Sequence, residues 1–207
     1  MKNNLHKHVA YVYDAIAGVY QQTITQHTDH LDDFLALLPS GASILDAGCG
    51  IGTDAGYMSE KGHRVCGLDL SPGMLEIAEK THPRVTFCLQ DLQDPDFPAR
   101  SFHGVVASFS LIHIRKNEVI PTLQKYHQLL MPEGLIFLAL QSGRSQEVFL
   151  EEPYKPDETT FLNIFSLDEV QHVLRGSGFI MLQSWRRRPD AGKEFDFTKL
   201  FVVAQKQ

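Results

Sequence analysis

Ile44-Leu45-Asp46-Ala47-Gly48-Cys49-Gly50-Ile51-Gly52 runs from a short apolar segment through an acid into alternating glycines. The polar, helix-compatible stretch Thr53-Asp54-Ala55-Gly56-Tyr57-Met58 follows at once. This order predicts a strand, a tight turn and a helix. Residues without Cβ let the turn close and let backbone approach a bound nucleotide. The expected ligand contacts are therefore Gly48, Gly50 and Gly52, with Asp46 at the mouth of the strand.

The glycines alone leave two nucleotide ligands open, because Gly50-x-Gly52-x-x-Ala55 also satisfies the dinucleotide fingerprint. Both readings expect an acid at the end of the next strand to hold the ribose hydroxyls. Asp69, after Val65-Cys66-Gly67-Leu68, is that acid. Asp46 separates the two. A pyrophosphate beside its carboxylate would be repelled, whereas S-adenosylmethionine presents an ammonium and a sulfonium there. Leu70 and Met74, on the turn and helix after Asp69, are candidates for packing against an adenine, or for core.

Apolar runs alternate with helical patterns along the rest of the chain, which implies a parallel sheet covered by helices on both faces. Strands are expected at 43–47, 64–68, 86–89, 104–108 and 135–140, with a closing antiparallel pair at 180–185 and 197–204. The expected architecture is a Rossmann-like, doubly wound, mostly parallel seven-stranded α/β sheet ending in an antiparallel hairpin. Ser71-Pro72 reads as a helix cap with proline in the first turn, and Ser166-Leu167-Asp168-Glu169 as a capping box. Two segments stand outside the alternation. Residues from about 9 to 38 read as helical, with Tyr13, Ile16, Ala17 and Tyr20 on one face. Residues 142–165 read as a long irregular lid or substrate loop. The whole of 1–207 is expected to be one domain, with 1–40 as an N-terminal helical cap.

Composition narrows the classes. The chain has 207 residues, 43% hydrophobic and 21% charged, enough to bury a sizeable core. A formal net charge of −6 argues against a general nucleic-acid binder. No apolar run is long enough for a membrane span, and the N-terminus lacks an apolar signal region. Three cysteines, 49, 66 and 88, with no short spacing argue against a disulfide framework or a zinc site and for a reducing cytoplasm. No histidine pair shows metal-ligand spacing, so no metal is expected. His6, His8, His27 and His30 have no motif around them and read as surface residues.

Asp46-Ala47-Gly48-Cys49-Gly50-Ile51-Gly52, Asp69-Leu70-Ser71-Pro72-Gly73-Met74-Leu75, Gln90-Asp91-Leu92, Ser108-Phe109-Ser110-Leu111-Ile112-His113 and Leu130-Met131-Pro132-Glu133-Gly134 occur in that order. Together they resemble the motifs of class I S-adenosylmethionine-dependent methyltransferases, in particular small single-domain enzymes acting on small molecules. The resemblance runs from about Tyr11 to the C-terminus. It implies that Asp91 contacts the adenine amino group, with Leu92 supplying a backbone donor. It implies that Ser108 borders the site after the fourth strand, and that Tyr13 and Tyr20 cover the methionine end. It also implies S-adenosylmethionine as cofactor, S-adenosylhomocysteine as product, and a small-molecule acceptor. Glu133 replaces the first glycine of the usual Pro-Gly-Gly and is strained if that turn needs positive φ.

His113 is the candidate catalytic base, near the expected methyl group. The bland alternative is an imidazole bonded to a backbone carbonyl that only holds its loop. Methyl transfer itself needs in-line alignment more than covalent chemistry from the protein. A non-catalytic S-adenosylmethionine-binding or regulatory protein of the same fold stays open, since fold does not fix function. So does a nicotinamide-dependent oxidoreductase, against which Asp46 weighs. The sequence fixes neither the acceptor nor the oligomeric state.

Overall fold

The computed structural model describes residues 2–190 and 195–207. Seven strands form one sheet: β1 (Ser43–Ala47), β2 (Arg64–Asp69), β3 (Thr86–Leu89), β4 (Phe102–Ser108), β5 (Leu130–Ser142), β8 (Phe179–Arg187) and β9 (Thr198–Lys206). Their spatial order is β3-β2-β1-β4-β5-β9-β8. The first five run parallel, and β9 and β8 close the edge antiparallel. The strand order reverses between β1 and β4. In open α/β sheets a crevice forms there, beyond the carboxyl ends of the strands.

Helices cover both faces. On one side α2 (Leu31–Leu35) and α3 (Thr53–Glu60) bury Leu31, Phe34, Ala55 and Met58 against Ile44, Val106, Phe137 and Phe201. On the other, α5 (Lys116–Leu129) and α6 (Leu167–Gly176) bury Leu123, Tyr126, Val170 and Leu174 against Leu45, Val105, Ile136 and Val202. Consecutive residues of β1 and β4 thus point into opposite cores, which is why these strands read as continuous apolar runs.

The local signals act as chemistry dictates. Ser71 caps α4 (Pro72–Thr81), its Oγ accepting from the Met74 amide at 3.1 Å, with proline in the first turn. Ser166 and Glu169 close a reciprocal capping box on α6. Glu133 adopts φ 59°, so the turn before the buried part of β5 does hold a side chain in the left-handed region.

Two expectations need correction. Residues 142–165 are not an irregular lid. β5 runs on to Ser142, and β6 (Gln146–Glu152) and β7 (Lys155–Ile164) form a separate antiparallel hairpin turned at Pro153-Tyr154. Val148, Leu150 and Glu152 alternate inward, and Phe161 to Ile164 are all buried, while the prolines at 153 and 156 disguise the strand pattern. The N-terminal helix is likewise not continuous from 9 to 38. α1 spans Lys2–Thr23, the chain leaves helix through Ile24-Thr25, and α2 begins after His30, which takes φ 63°. The Thr28 amide donates to Asp54 instead of to a helical carbonyl.

Candidate active site

The carboxyl ends of β1, β2 and β4 meet in one crevice, and α1 lies across it. Gly48 follows β1 so closely packed that an added Cβ would lie 2.4 Å from the Ser110 Cβ. Ser110 itself donates from Oγ to the Ala47 carbonyl at 2.6 Å, joining the turn to the segment after β4. Gly50 differs. It sits at φ 52°, and a Cβ there would meet nothing within 4 Å. The turn therefore presents bare backbone to open space.

Asp69 organises this turn. Its Oδ2 accepts from the Gly50 amide at 2.8 Å and its Oδ1 from the Ser71 amide at 2.9 Å. Burial raises its carboxyl, and those backbone bonds offset part of the rise. Asp46 is buried more completely, at 1% exposure, and Oδ2 has no hydrogen-bond partner. Burial is the main cause that pushes its carboxyl well above the usual carboxylate range, with Asp54 and Asp69 adding repulsion. A buried carboxylate oxygen without a donor is costly. Ser108 Oγ, at the end of β4, is a second buried polar atom without a partner. The donor set facing the crevice is thus acidic, with open backbone beside it, and it suits a ligand bearing a cation and hydroxyls.

α1 is tied to the crevice at three points. His6 Nδ1 lies 3.1 Å from Asp91 Oδ2. Asp14 Oδ1 accepts from Ser71 Oγ at 2.8 Å and from the Gly73 amide at 2.6 Å, a carboxylate seated on the N-terminus of α4. The Tyr13 hydroxyl lies 2.8 Å from His113 Nε2. A cavity of about 370 Å³ remains between α1 and the β2 end, lined by His6, Tyr11, Asp14, Leu70 and Asp91 among others. His6 is thus no free surface residue; its partner is the carboxylate expected at the adenine. Met74 is wholly buried under Ile16 and Ala17 of α1 beside Ile51, and Leu92 lies next to Gly48.

His113 is held at both nitrogens. Nδ1 lies 2.9 Å from the Phe161 carbonyl on β7, which makes it the donor and leaves Nε2 to accept from Tyr13. Burial pushes the imidazole down to about 4, and the bond to the carbonyl only partly opposes that. Burial also raises the Tyr13 and Tyr20 hydroxyls, with further contributions from Glu152 and Asp69. Tyr20 packs edge-on against both Tyr13 and Tyr154, so the hairpin tip reaches α1.

The structure therefore gathers Asp46, Gly48, Gly50, Gly52, Asp69, Leu70, Asp91, Leu92, Ser108, Tyr13, Tyr20 and His113 along one edge. It adds His6, Asp14, Glu152 and Tyr154, which the sequence reading did not single out. For Glu152 a signal existed: a charge in the inward register of an alternating strand.

Comparison with known proteins agrees with this geometry. Residues 44–134 match the methyltransferase-domain family model. This stretch of the chain, from β1 into β5, carries a methyltransferase domain. YqeM of Bacillus subtilis (strain 168) is 31% identical over 159 residues, covering 72% of this chain and 61% of that protein. A malonyl-[acyl-carrier protein] O-methyltransferase of Serratia marcescens is 29% identical, covering 68% and 55%. The chain thus spans little more than half the length of these relatives. A 1,6-didemethyltoxoflavin-N1-methyltransferase of Burkholderia thailandensis, solved with that compound and S-adenosylhomocysteine, superposes with a TM-score of 0.78 at 23% identity. That match covers 100% of this chain and 91% of that one, and it shows the shared fold.

Proposed function

We propose that the chain transfers a methyl group from S-adenosylmethionine to a small-molecule acceptor. One observation carries the reading. Asp46 Oδ2 is buried without a donor near the end of β1, on the strand that leads into the turn where Gly50 leaves open backbone. A ligand ammonium would supply the missing partner, whereas a pyrophosphate would worsen the repulsion.

Each residue then has a task. Asp69, already aligned by the Gly50 and Ser71 amides, accepts from the ribose hydroxyls. Asp91 accepts from the adenine amino group once His6 yields it, and Leu70 and Leu92 flank the ring. Gly50 admits the methionine end over open backbone, while Gly48 and Gly52 shape the turn by packing against Ser110 and Phe87; Tyr13 and Tyr20 cover that end, with Ser108 at its side. Met74 acts from below, as the floor that α1 packs against. The bound cosubstrate brings the methyl on a sulfonium that is already an activated leaving group.

The protein's contribution is alignment and exclusion of water, worth roughly 7–11 kcal/mol in favourable cases. α1 and the β6–β7 hairpin provide that enclosure. His113, held neutral and bonded at both nitrogens, is better suited to orient the Tyr13 hydroxyl than to take a proton at neutral pH. Residues 1–207 act as a single domain in this reading. Among the described residues no helix is long and apolar enough to cross a membrane, and a cytoplasmic location without nucleic-acid partners fits the acidic charge and free thiols.

The test is incubation with methyl-labelled cosubstrate and a metabolite extract. Label should appear in low-mass products. Binding of S-adenosylhomocysteine without any transfer would instead leave a non-catalytic binding protein.

A further inference from the structure

The tip of the β6–β7 hairpin carries a charge that cofactor binding does not use. Along β6 the inward positions are Val148, Leu150 and Glu152, so a carboxylate holds the third apolar slot. Glu152 is 3% exposed. Its hydrogen bond comes from the Tyr154 amide in its own turn, at 3.5 Å. Among the described residues no cation pairs with it.

Its surroundings are aromatic and acidic. Tyr154, two residues on at the hairpin tip, packs edge-on against Tyr20, and Glu152 lies close enough to Tyr13 and Tyr20 for its charge to raise both hydroxyls. The rings of Tyr13 and Tyr20 lie 6.0 Å apart and those of Tyr20 and Tyr154 lie 6.2 Å apart, each pair nearly perpendicular. Three basic residues of the hairpin and of the segment facing it are engaged elsewhere. Arg115 pairs with Glu147, Lys116 with Glu169 and the Ile164 carbonyl, and Lys155 lies over the ring of Tyr11. Asp46 Oδ2, at the end of β1, is a buried acceptor without a partner.

A carboxylate acceptor entering here would meet negative charge and no buried cation. An ammonium would meet a carboxylate and aromatic rings, which attract cations both by charge and by their quadrupoles. We propose that Glu152, with Tyr13, Tyr20 and Tyr154, recognises the amino group of a small amine acceptor, which makes the methyl transfer an N-methylation. This rests on the methyl-transfer reading above.

The chemistry balances without another reactant. The alkylammonium gives a proton to the Glu152 carboxylate. The freed nitrogen lone pair forms the N–C bond while the S–C bond breaks, its electron pair remaining on sulfur. Positive charge passes from sulfur to nitrogen, and the protonated Glu152 returns its proton to solvent when the site opens.

Two measurements test the assignment. The first needs no ligand. Burial raises the Glu152 carboxyl above its ordinary 4.5, so its contribution to stability is lost as pH rises through that range. Glu152→Gln should therefore melt above wild type at pH 8, with the gap closing toward pH 4.5. A wild type that melts as high as the variant at pH 8 would show a structurally satisfied carboxylate and overturn the proposal.

The second measurement titrates S-adenosylhomocysteine-saturated protein with benzylamine, benzyl alcohol and benzoate by calorimetry. Benzylamine should bind at least about tenfold tighter than the other two, and Glu152→Gln should erase that preference. Absent benzylamine binding, an equal preference, or a preference retained in Glu152→Gln would overturn it. S-adenosylhomocysteine binding is measured first: its failure in wild type defeats the methyl-transfer reading, whereas its success with no amine preference defeats only this one.

Discussion

The two sides of the crevice are held together by different means. On the glycine-turn side, the contacts are short-range or lie between adjacent strands. Asp69 fixes Gly50 and Ser71, Ser71 caps α4, and the amides of Gly48 and Cys49 both donate to the Leu68 carbonyl. On the acceptor side, α1 and the β6–β7 hairpin meet through side chains remote in sequence: Tyr13 with His113, Tyr20 with Tyr154, His8 with the Thr159 carbonyl. The first side is a frame built on backbone groups. In the proposed reading the second is a cover over the acceptor.

Breaking the frame should have the largest effect. Gly50→Val places a β-branched side chain at φ 52°, a strain of about 1–2 kcal/mol that the chain should survive because the Cβ meets no neighbour. In the proposed reading that same open space is the cofactor's. S-adenosylhomocysteine affinity should fall by about 100-fold or more, equivalent to at least about 2.7 kcal/mol. A folded variant that binds normally would move the cofactor elsewhere.

The cover should respond to acid. The His113 imidazole titrates near 4 in the fold against an ordinary 6.5, so the folded state declines a proton that the unfolded chain takes. Stability present above pH 6.5 is therefore lost as pH falls toward 4, by on the order of 3 kcal/mol in full. His113→Gln removes that loss, so the melting temperature of the variant should fall less steeply than wild type across the window. Parallel profiles would mean that His113 is not held neutral by burial.

The smallest effect sharpens the frame far from the cofactor. Glu133 stands at φ 59°, and Glu133→Gly should relieve left-handed strain of up to about 1–2 kcal/mol, less the entropy glycine adds to the unfolded chain. A melting temperature raised by a few degrees with unchanged ligand binding is expected. A lowered one would locate the strain elsewhere.

The same contrast explains what could be read from the sequence. The frame was legible because its signals are local: an acid before glycines, Ser71-Pro72, Asp69 ending a strand, Glu133 in a glycine position. The cover was legible only in part. Tyr13 and Tyr20 were found through helical spacing and family resemblance, but their partners lie about a hundred residues or more away on other elements. The hairpin was hidden by Pro153 and Pro156, although Val148, Leu150 and Glu152 kept a strand's period of two. His6 looked like a surface residue because nothing near it in sequence reveals Asp91. His113 was located correctly at the edge, while the burial that lowers its basicity comes from α1 and β7 and has no local signature.

Calorimetric titration of the chain with S-adenosylhomocysteine and, separately, with NAD⁺ tests the central claim, that the buried acids of this crevice select a nucleoside bearing an ammonium over one bearing a pyrophosphate. The account predicts one S-adenosylhomocysteine bound per chain and no detectable heat from NAD⁺. Saturable binding of NAD⁺, or no binding of S-adenosylhomocysteine, would contradict it.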